Sequence, residues 1–245
     1  MRHARLLPLL AWVGCLLVAV LLGCQKPTAA TPKGNVQTFF PFQEGARWQY
    51  VQRNLGGSSA EETFELFFRG VQKVEEVGHE LFVIDEVVPR GTSPTGYFFQ
   101  DGFLVKVLGL AYNKQGTIVW QGKQLRGRLL GGPPGNVEKF LPATLAVGAR
   151  WQSHGPVLNA LVEADYHVVS QEAVEVPAGR YPDCFRIESS TKVSPIQPDG
   201  NTDSEAATTF SSTDWYAAGV GLVKSQMRQE GQDTGELVLL RYEKS

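Results

Sequence analysis

The chain is poor in the residues that most often carry chemistry: its 245 residues include 3 cysteines, 4 histidines and 2 methionines. It has no Gly-rich phosphate loop, no HExxH and no Gly-x-Ser-x-Gly elbow, so the signatures of P-loop enzymes, zincins and α/β-hydrolases are all missing. An excess of one charge is missing too. With 23 Lys and Arg against 25 Asp and Glu, the formal net charge of −2 lacks the electrostatic footprint of a nucleic-acid binder. No long segment keeps a 3.6-residue apolar period, which argues against a helical domain.

What is present begins at the N-terminus. Met1-Arg2-His3-Ala4-Arg5 is basic, and the residues from Leu6 to Leu22 are almost all apolar, the anatomy of a secretory signal. Pro8 and Gly14 interrupt the run and a polar stretch follows Gly23-Cys24 at once, as in a cleaved signal rather than a spanning helix. Leu21-Leu22-Gly23-Cys24 resembles the lipobox of bacterial lipoproteins, which implies a signal peptide of residues 1–23 and acylation of Cys24. Gly14-Cys15 is the competing site, but Trp12 stands where an aliphatic residue belongs. Each acyl methylene adds about 0.8 kcal/mol of membrane affinity, so several chains together hold a protein on its bilayer. Residues 24–36, rich in Pro, Thr, Ala and Lys, read as a flexible tether. In Gram-negative lipoproteins an aspartate directly after the cysteine marks inner-membrane retention. Gln25 therefore implies an outer-membrane anchor facing the periplasm, if the cell is Gram-negative.

Export removes Cys15 and lipidation uses Cys24, which leaves Cys184 without a disulfide partner. Residues 37–245 are long enough to stand on a hydrophobic core alone and read as a single β-rich domain. Alternation such as Phe64-Glu65-Leu66-Phe67-Phe68-Arg69 marks strands. Further strands are expected at 81–88, 97–107, 117–130, 164–176, 184–193, 208–216, 221–227 and 236–242. Short helices fit best at 142–147 or 156–163.

The pattern repeats. Gly45-Ala46-Arg47-Trp48-Gln49 recurs as Gly148-Ala149-Arg150-Trp151-Gln152, and the same spacing carries Phe82-Val83-Ile84-Asp85 onto Phe185-Arg186-Ile187-Glu188. Tyr97-Phe98 with Leu104-Val105-Lys106 matches Trp215-Tyr216 with Leu222-Val223-Lys224 at a longer spacing. The polar loop from Ser194 to Ala207 accounts for the excess. The expected fold is all-β: a curved antiparallel sheet or half-barrel built from two duplicated meander halves, about 40–130 and 140–245.

Val174-Glu175-Val176-Pro177-Ala178-Gly179, Cys184-Phe185-Arg186-Ile187 and Trp215-Tyr216-Ala217-Ala218-Gly219-Val220-Gly221-Leu222-Val223-Lys224 resemble a family of uncharacterised bacterial periplasmic proteins and lipoproteins. That family is distantly similar to the LolA/LolB-like half-barrels. The resemblance implies a half-barrel and carries over no catalytic residue; fold-level analogy to lipid carriage does not establish function.

Cys184 is the candidate thiol nucleophile, with His154 or His167 as base, but alternation puts Phe185 and Ile187 on the core face and Cys184 with Arg186 and Glu188 on the other. Asp165, His167 and His154 fall short of a zinc set, so no metal and no cofactor are expected. The loop Asp199-Gly200-Asn201-Thr202-Asp203 opens like a calcium loop and then departs from it at Ser204 and Phe210. Between Lys106 and Arg150 the basic residues Lys106, Lys114, Lys123, Arg126, Arg128, Lys139 and Arg150 face one acid, Glu138. Such a stretch suits an anionic surface or a guarded sheet edge equally well.

The expected function is a non-enzymatic accessory or binding lipoprotein of the cell envelope, held on the membrane through acylated Cys24, with an envelope protein or an apolar ligand as partner and no nucleic acid. In its sharper form it carries a lipid or other apolar ligand on a face made by Phe64, Phe68, Phe82, Ile84, Trp120, Phe185, Ile187 and Trp215. The same residues fill a closed core equally well. A hydrolase using Cys184 is the remote alternative. In cells fed a palmitate analogue the full chain is expected to take up label, Cys24→Ser to lose it and Cys15→Ser to keep it. Label retained on Cys24→Ser would contradict the lipobox.

Overall fold

Period-2 alternation sets the strands and Gly-containing turns separate them. The computed structural model describes residues 33–55, 61–121, 137–157, 160–197 and 200–244. The signal peptide, Cys24, the tether to residue 32, Lys123, Arg126, Arg128 and Asp199 lie outside the described residues. In chain order come β1 (Lys33–Asn35), one helical turn α1 (Val36–Phe39), β2 (Arg47–Asn54), β3 (Glu61–Val74), β4 (His79–Val88), β5 (Gly91–Gln100) and β6 (Phe103–Val107). They are followed by β7 (Leu110–Tyr112), β8 (Ile118–Trp120), β9 (Val137–Pro142), β10 (Thr144–Ala146), β11 (Arg150–Val157), β12 (Ala160–Val176) and β13 (Gly179–Pro195). The last three are β14 (Thr208–Ala217), β15 (Gly221–Gln229) and β16 (Gln232–Glu243).

Twelve strands form one antiparallel sheet in the order β11-β12-β13-β14-β15-β16-β2-β3-β4-β5-β6-β9. Its two edges, β11 and β9, come back to each other, so the expected curved antiparallel sheet is here a nearly closed barrel. Side chains close the gap where backbone pairs would otherwise stand. The Lys139 amide donates to Ser153 Oγ at 3.0 Å, and the Trp151 indole donates to the Lys139 carbonyl at 3.1 Å. Two unpaired edges are thereby turned toward each other instead of toward solvent.

A barrel of this strand number is wider than its wall side chains can fill, since about eight strands already match that limit. The segment from Val36 to Phe42 fills one end. Val36 and Phe39 are buried, and the Phe39 ring meets Phe185 edge-on at 5.0 Å. Phe42 stacks on Phe82 at 4.5 Å and tilts against Phe68 at 5.7 Å, while Phe40 lies against Tyr97 and Phe140. Backbone bonds fix this plug: β1 pairs with β10, the Val36 amide donates to Ala143 O, and the Gly219 amide donates to Thr38 O at 2.6 Å. β1 and the first residue of α1 thus lie inside the stretch read as tether.

A second, smaller core lies on the outer face. The β7–β8 hairpin covers Leu81, Val83, Phe98, Val105 and Val107 with its own Leu110, Ile118 and Trp120. Gly96 makes this approach possible, because a Cβ there would stand 2.8 Å from side-chain carbons of Leu110 and Leu81. Asp85, 2 % exposed, pins the hairpin by accepting from Arg69 Nε at 2.8 Å and from the Tyr112 hydroxyl.

Several expectations are corrected. The strand expected at 97–107 is the hairpin β5–β6, turned at Asp101-Gly102, both at positive φ (50° and 78°); Asp-Gly between apolar runs is a hairpin signal. The expected helix at 142–147 contains β10. Of the one at 156–163, the described ends belong to β11 and β12. The two Gly-Ala-Arg-Trp-Gln segments lead into β2 and β11. In each, the alanine carbonyl accepts a backbone N–H of the following long strand, from Phe68 at 3.0 Å and from Val168 at 2.9 Å. A register shift follows in both strands, between Phe68 and Gly70 and between Val168 and Ser170.

Phe39→Ala is expected to cost about 3 kcal/mol or more of unfolding free energy, the usual scale for emptying a buried phenylalanine site. Val71→Ala, at a position 53 % exposed, is expected to stay within about 0.5 kcal/mol. Urea denaturation of both checks the plug, and equal small effects would contradict it.

Candidate functional site

The barrel end opposite the plug is not filled. Two adjoining chambers lie there, of about 260 Å³ and about 200 Å³, and Glu138, Tyr166 and Thr191 line both. Their walls follow the strand period: Ser153 and Gly155 from β11, Val162, Ala164 and Tyr166 from β12, Ile187, Ser189 and Thr191 from β13, Ser212, Asp214 and Tyr216 from β14. The larger chamber is mostly apolar, with Val137 and Leu108 completing it at the seam. The smaller one is where the polar side chains converge.

The Tyr166 hydroxyl donates to Glu138 Oε1 at 2.5 Å, and its ring stacks on Trp151 at 4.9 Å with the planes 6° apart. Ser212 Oγ donates to Asp214 Oδ2 at 3.0 Å and shares a hydrogen bond with the Ser189 hydroxyl at 2.9 Å. Burial holds the Asp214 carboxyl above the usual range and the nearby Glu138 charge adds to this, while the Ser225 and Ser212 hydroxyls oppose it. Burial likewise pushes the Tyr166 and Tyr216 phenols far up, so both remain neutral.

Cross-strand partners share a sheet face, which fixes the charge inside the lumen. Phe82 pairs with Tyr97, Tyr97 with Lys106 and Lys106 with Glu138. Glu86 pairs with Leu66, and Glu62, at the exposed rim, pairs with Gln52. Among the described residues the charged groups on the lumen-facing register of these strands and of β14 are therefore Glu62, Glu80, Glu86, Glu138 and Asp214 against Lys73 and Lys106, with Lys73 and Glu80 opposite each other and exposed. Two lumen-facing apolar residues, Phe210 and Met227, are 40 % and 39 % exposed at the same end.

The face expected to bind a ligand divides. Phe64, Phe68, Phe82, Ile84, Phe185 and Ile187 do point into the barrel, but Phe68, Phe82 and Phe185 pack on the plug, and Phe64 stacks on Tyr50 at 5.5 Å. Ile187 alone of the eight lines one of the two chambers. Trp120 is part of the outer hairpin and packs into the outer core. Trp215 lies on the outer face, where its indole donates to Glu172 Oε1 at 2.8 Å and the Lys224 ammonium stands over its ring. Both depart from the expected face because β4 to β6 and β14 are covered on their outer sides as well, a burial that alternation alone does not separate from core.

Cys184 is fully buried rather than set on an open face, and burial pushes its thiol up to about 11. Its Sγ lies 3.6 Å from the Tyr181 carbonyl. His154 and His167 stand opposite Glu163 on β12 and Glu188 on β13 in the strand register. Asp165 accepts from Gln152 at 2.6 Å. Among the described residues no three His, Cys, Asp or Glu side chains gather as a metal-binding group. Asp203 caps its own turn, accepting from the Glu205 and Ala206 amides. Among its described residues the basic stretch makes no single face: Lys106 points inward, whereas Lys139 lies over the Phe103 ring.

The chamber residues Glu138, Tyr166, Thr191, Ser212 and Asp214 were not singled out from the sequence. A signal was available in Phe210-x-Ser212-x-Asp214-x-Tyr216 and Ile187-x-Ser189-x-Thr191, where polar residues stand in phase with core residues.

The burial of Cys184 predicts that iodoacetamide at pH 8 leaves the native full chain unmodified at this position and labels it readily in urea. Labelling at similar rates in both would contradict the described packing.

Comparison with known proteins places the architecture. Residues 159–238, from β12 into β16, match the DUF3108-like family. No curated protein matches the chain. A crystal structure described as a "putative lipoprotein" from Parabacteroides distasonis ATCC 8503 is similar over 84 % of this chain and 98 % of its own, with a TM-score of 0.51 and 14 % identity. A "putative exported protein with YmcC-like fold" from Bacteroides fragilis NCTC 9343 gives a TM-score of 0.49 at 13 % identity, covering 82 % and 97 % of the two chains. With the Parabacteroides distasonis protein, at 14 % identity, what is shared is the fold.

Proposed function

We propose that this chain is a lipid-anchored protein of the bacterial cell envelope, without enzymatic activity, whose barrel binds a small amphipathic molecule in the half-open lumen. The observation that carries the reading is the pair of adjoining chambers, one apolar and one polar, at the end the plug does not reach. The lipobox at Cys24 and the description of the Parabacteroides distasonis protein as a "putative lipoprotein" support the anchor and the compartment. Burial of Cys184 and its raised pKa speak against the hydrolase alternative.

Size narrows the ligand. Drug-sized ligands occupy pockets of about 300–1,000 Å³, and the two chambers stand at the lower end of that range. A whole diacyl or triacyl lipid is too large, because the aromatic surface that would receive its chains is occupied by Phe39, Phe40 and Phe42. The reading is therefore a receptor for a small molecule rather than a carrier of intact lipids. The matched alanine-carbonyl bonds and register shifts of β3 and β12 further support descent of the two meanders from one.

Ala164, 5 % exposed, lines the apolar chamber opposite Ser153. Native mass spectrometry of the full chain, purified from membranes in detergent, is expected to show a small-molecule adduct that disappears on unfolding. Ala164→Phe fills the chamber and is expected to lose the adduct with little change in Tm. An apo mass for the unsubstituted chain, or an adduct that Ala164→Phe retains, would overturn the proposal.

A further inference from the structure

We infer that the lumen selects a small amine, its ammonium held between Glu138 and Asp214 and its apolar body in the chamber along the β9–β11 seam. The inference rests on the binding reading above and names the chemical class that the site takes. Three observations carry it.

The first is the charge balance. Both carboxylates line the smaller chamber, and no Lys or Arg lines either chamber. Of the two lysines on the lumen-facing register of the strands traced, Lys73 is exposed opposite Glu80, and the Lys106 ammonium is drawn over the Phe140 ring, 5.8 Å from the centroid, instead of forming an ion pair with Glu138. Adding Glu62 and Glu86, a cationic guest enters a lumen whose wall charge is opposite to its own.

The second is hydrogen-bond demand. An ammonium brings three donors and no acceptor. The chamber offers the carboxylate oxygens of Glu138 and Asp214 together with the hydroxyls of Ser189, Thr191 and Ser212. Asp214 is held high by burial and by the neighbouring acid, and a bound cation relieves both effects. Hydrogen bonds between ionised partners are about twice as strong as neutral ones, so an amine gains here over an alcohol of the same shape.

The third is the apolar surface beside these acceptors. Tyr166 and Thr191 border both chambers, so a ligand with its charged end at Asp214 extends past them onto Val162 and Ala164. Phe210 and Met227, apolar and exposed on the lumen-facing register, give the approach an apolar lip. A bare metal ion or a fully polar polyamine would leave this surface unused.

Phenethylamine, 2-phenylethanol and 3-phenylpropanoate have similar size and differ in the charge of one end. Each is titrated calorimetrically into the full chain in non-ionic detergent, against a micelle blank. The amine is expected to bind at least about tenfold more tightly than the alcohol, a difference of 1.4 kcal/mol, and the carboxylate not at all. Glu138→Gln and Asp214→Asn are each expected to bring the amine down to the level of the alcohol while the alcohol's own affinity is kept. Glu163→Gln, on the outer face, is expected to change neither. If Asp214→Asn does not fold, Glu138→Gln on the facing wall carries the test alone. Equal binding of amine and alcohol, tighter binding of the carboxylate, or a preference that survives both substitutions would overturn the inference and leave the chamber reading standing. Binding of none of the three would overturn both.

Discussion

Closing twelve strands into one sheet leaves a lumen that wall side chains cannot fill, and most of the remaining structure answers that constraint. At one end the answer is internal. The chain folds its own Val36–Phe42 segment into the barrel and surrounds it with Phe68, Phe82, Tyr97, Phe140 and Phe185. Burial of large apolar side chains is worth about 1.5–3 kcal/mol each, so a plug of this composition is a principal source of stability as well as a stopper. At the other end nothing from the described chain enters, and the wall surrounds one apolar and one polar chamber.

The seam follows from the same constraint. β9 and β11 approach closely enough for Ser153 and Trp151 to reach the Lys139 backbone, yet they form no ladder of their own. Small residues on this side, Gly155 and Ala164, leave the larger chamber where a filled barrel would place bulky ones. Trp151, Tyr166 and Glu138 then form one unit: the indole closes the seam, the phenol stacks on it, and the carboxylate orients the phenol. The site is thus built on regular strands and held by a network rather than by loops.

Much of this was legible in the sequence. Phe64-x-Leu66-x-Phe68 and Phe185-x-Ile187 revealed an all-β chain and half of its core, and the repeated Gly-Ala-Arg-Trp-Gln marked the starts of β2 and β11. The aromatic face failed as a site because alternation assigns a residue to a face without saying what covers that face. Phe82 meets Phe42 of the plug, and Trp120 belongs to the outer hairpin, whose Leu110 comes close to the sheet only because Gly96 has no Cβ. The true chambers depend on barrel closure, a property of twelve strands together that no window of sequence contains. Ser212 and Asp214 carried the local trace of it, as polar residues in the phase of Phe210 and Tyr216.

The central claim is a lumen filled at one end and open at the other, and xenon tests it without assuming any ligand, since xenon settles in apolar cavities that lack packing atoms. Crystals of the protein pressurised with xenon are predicted to show the gas between Val137, Val162 and Ala164 and none among Phe40, Phe42 and Phe82. Xenon within the aromatic cluster, or none beside the seam, would contradict the account.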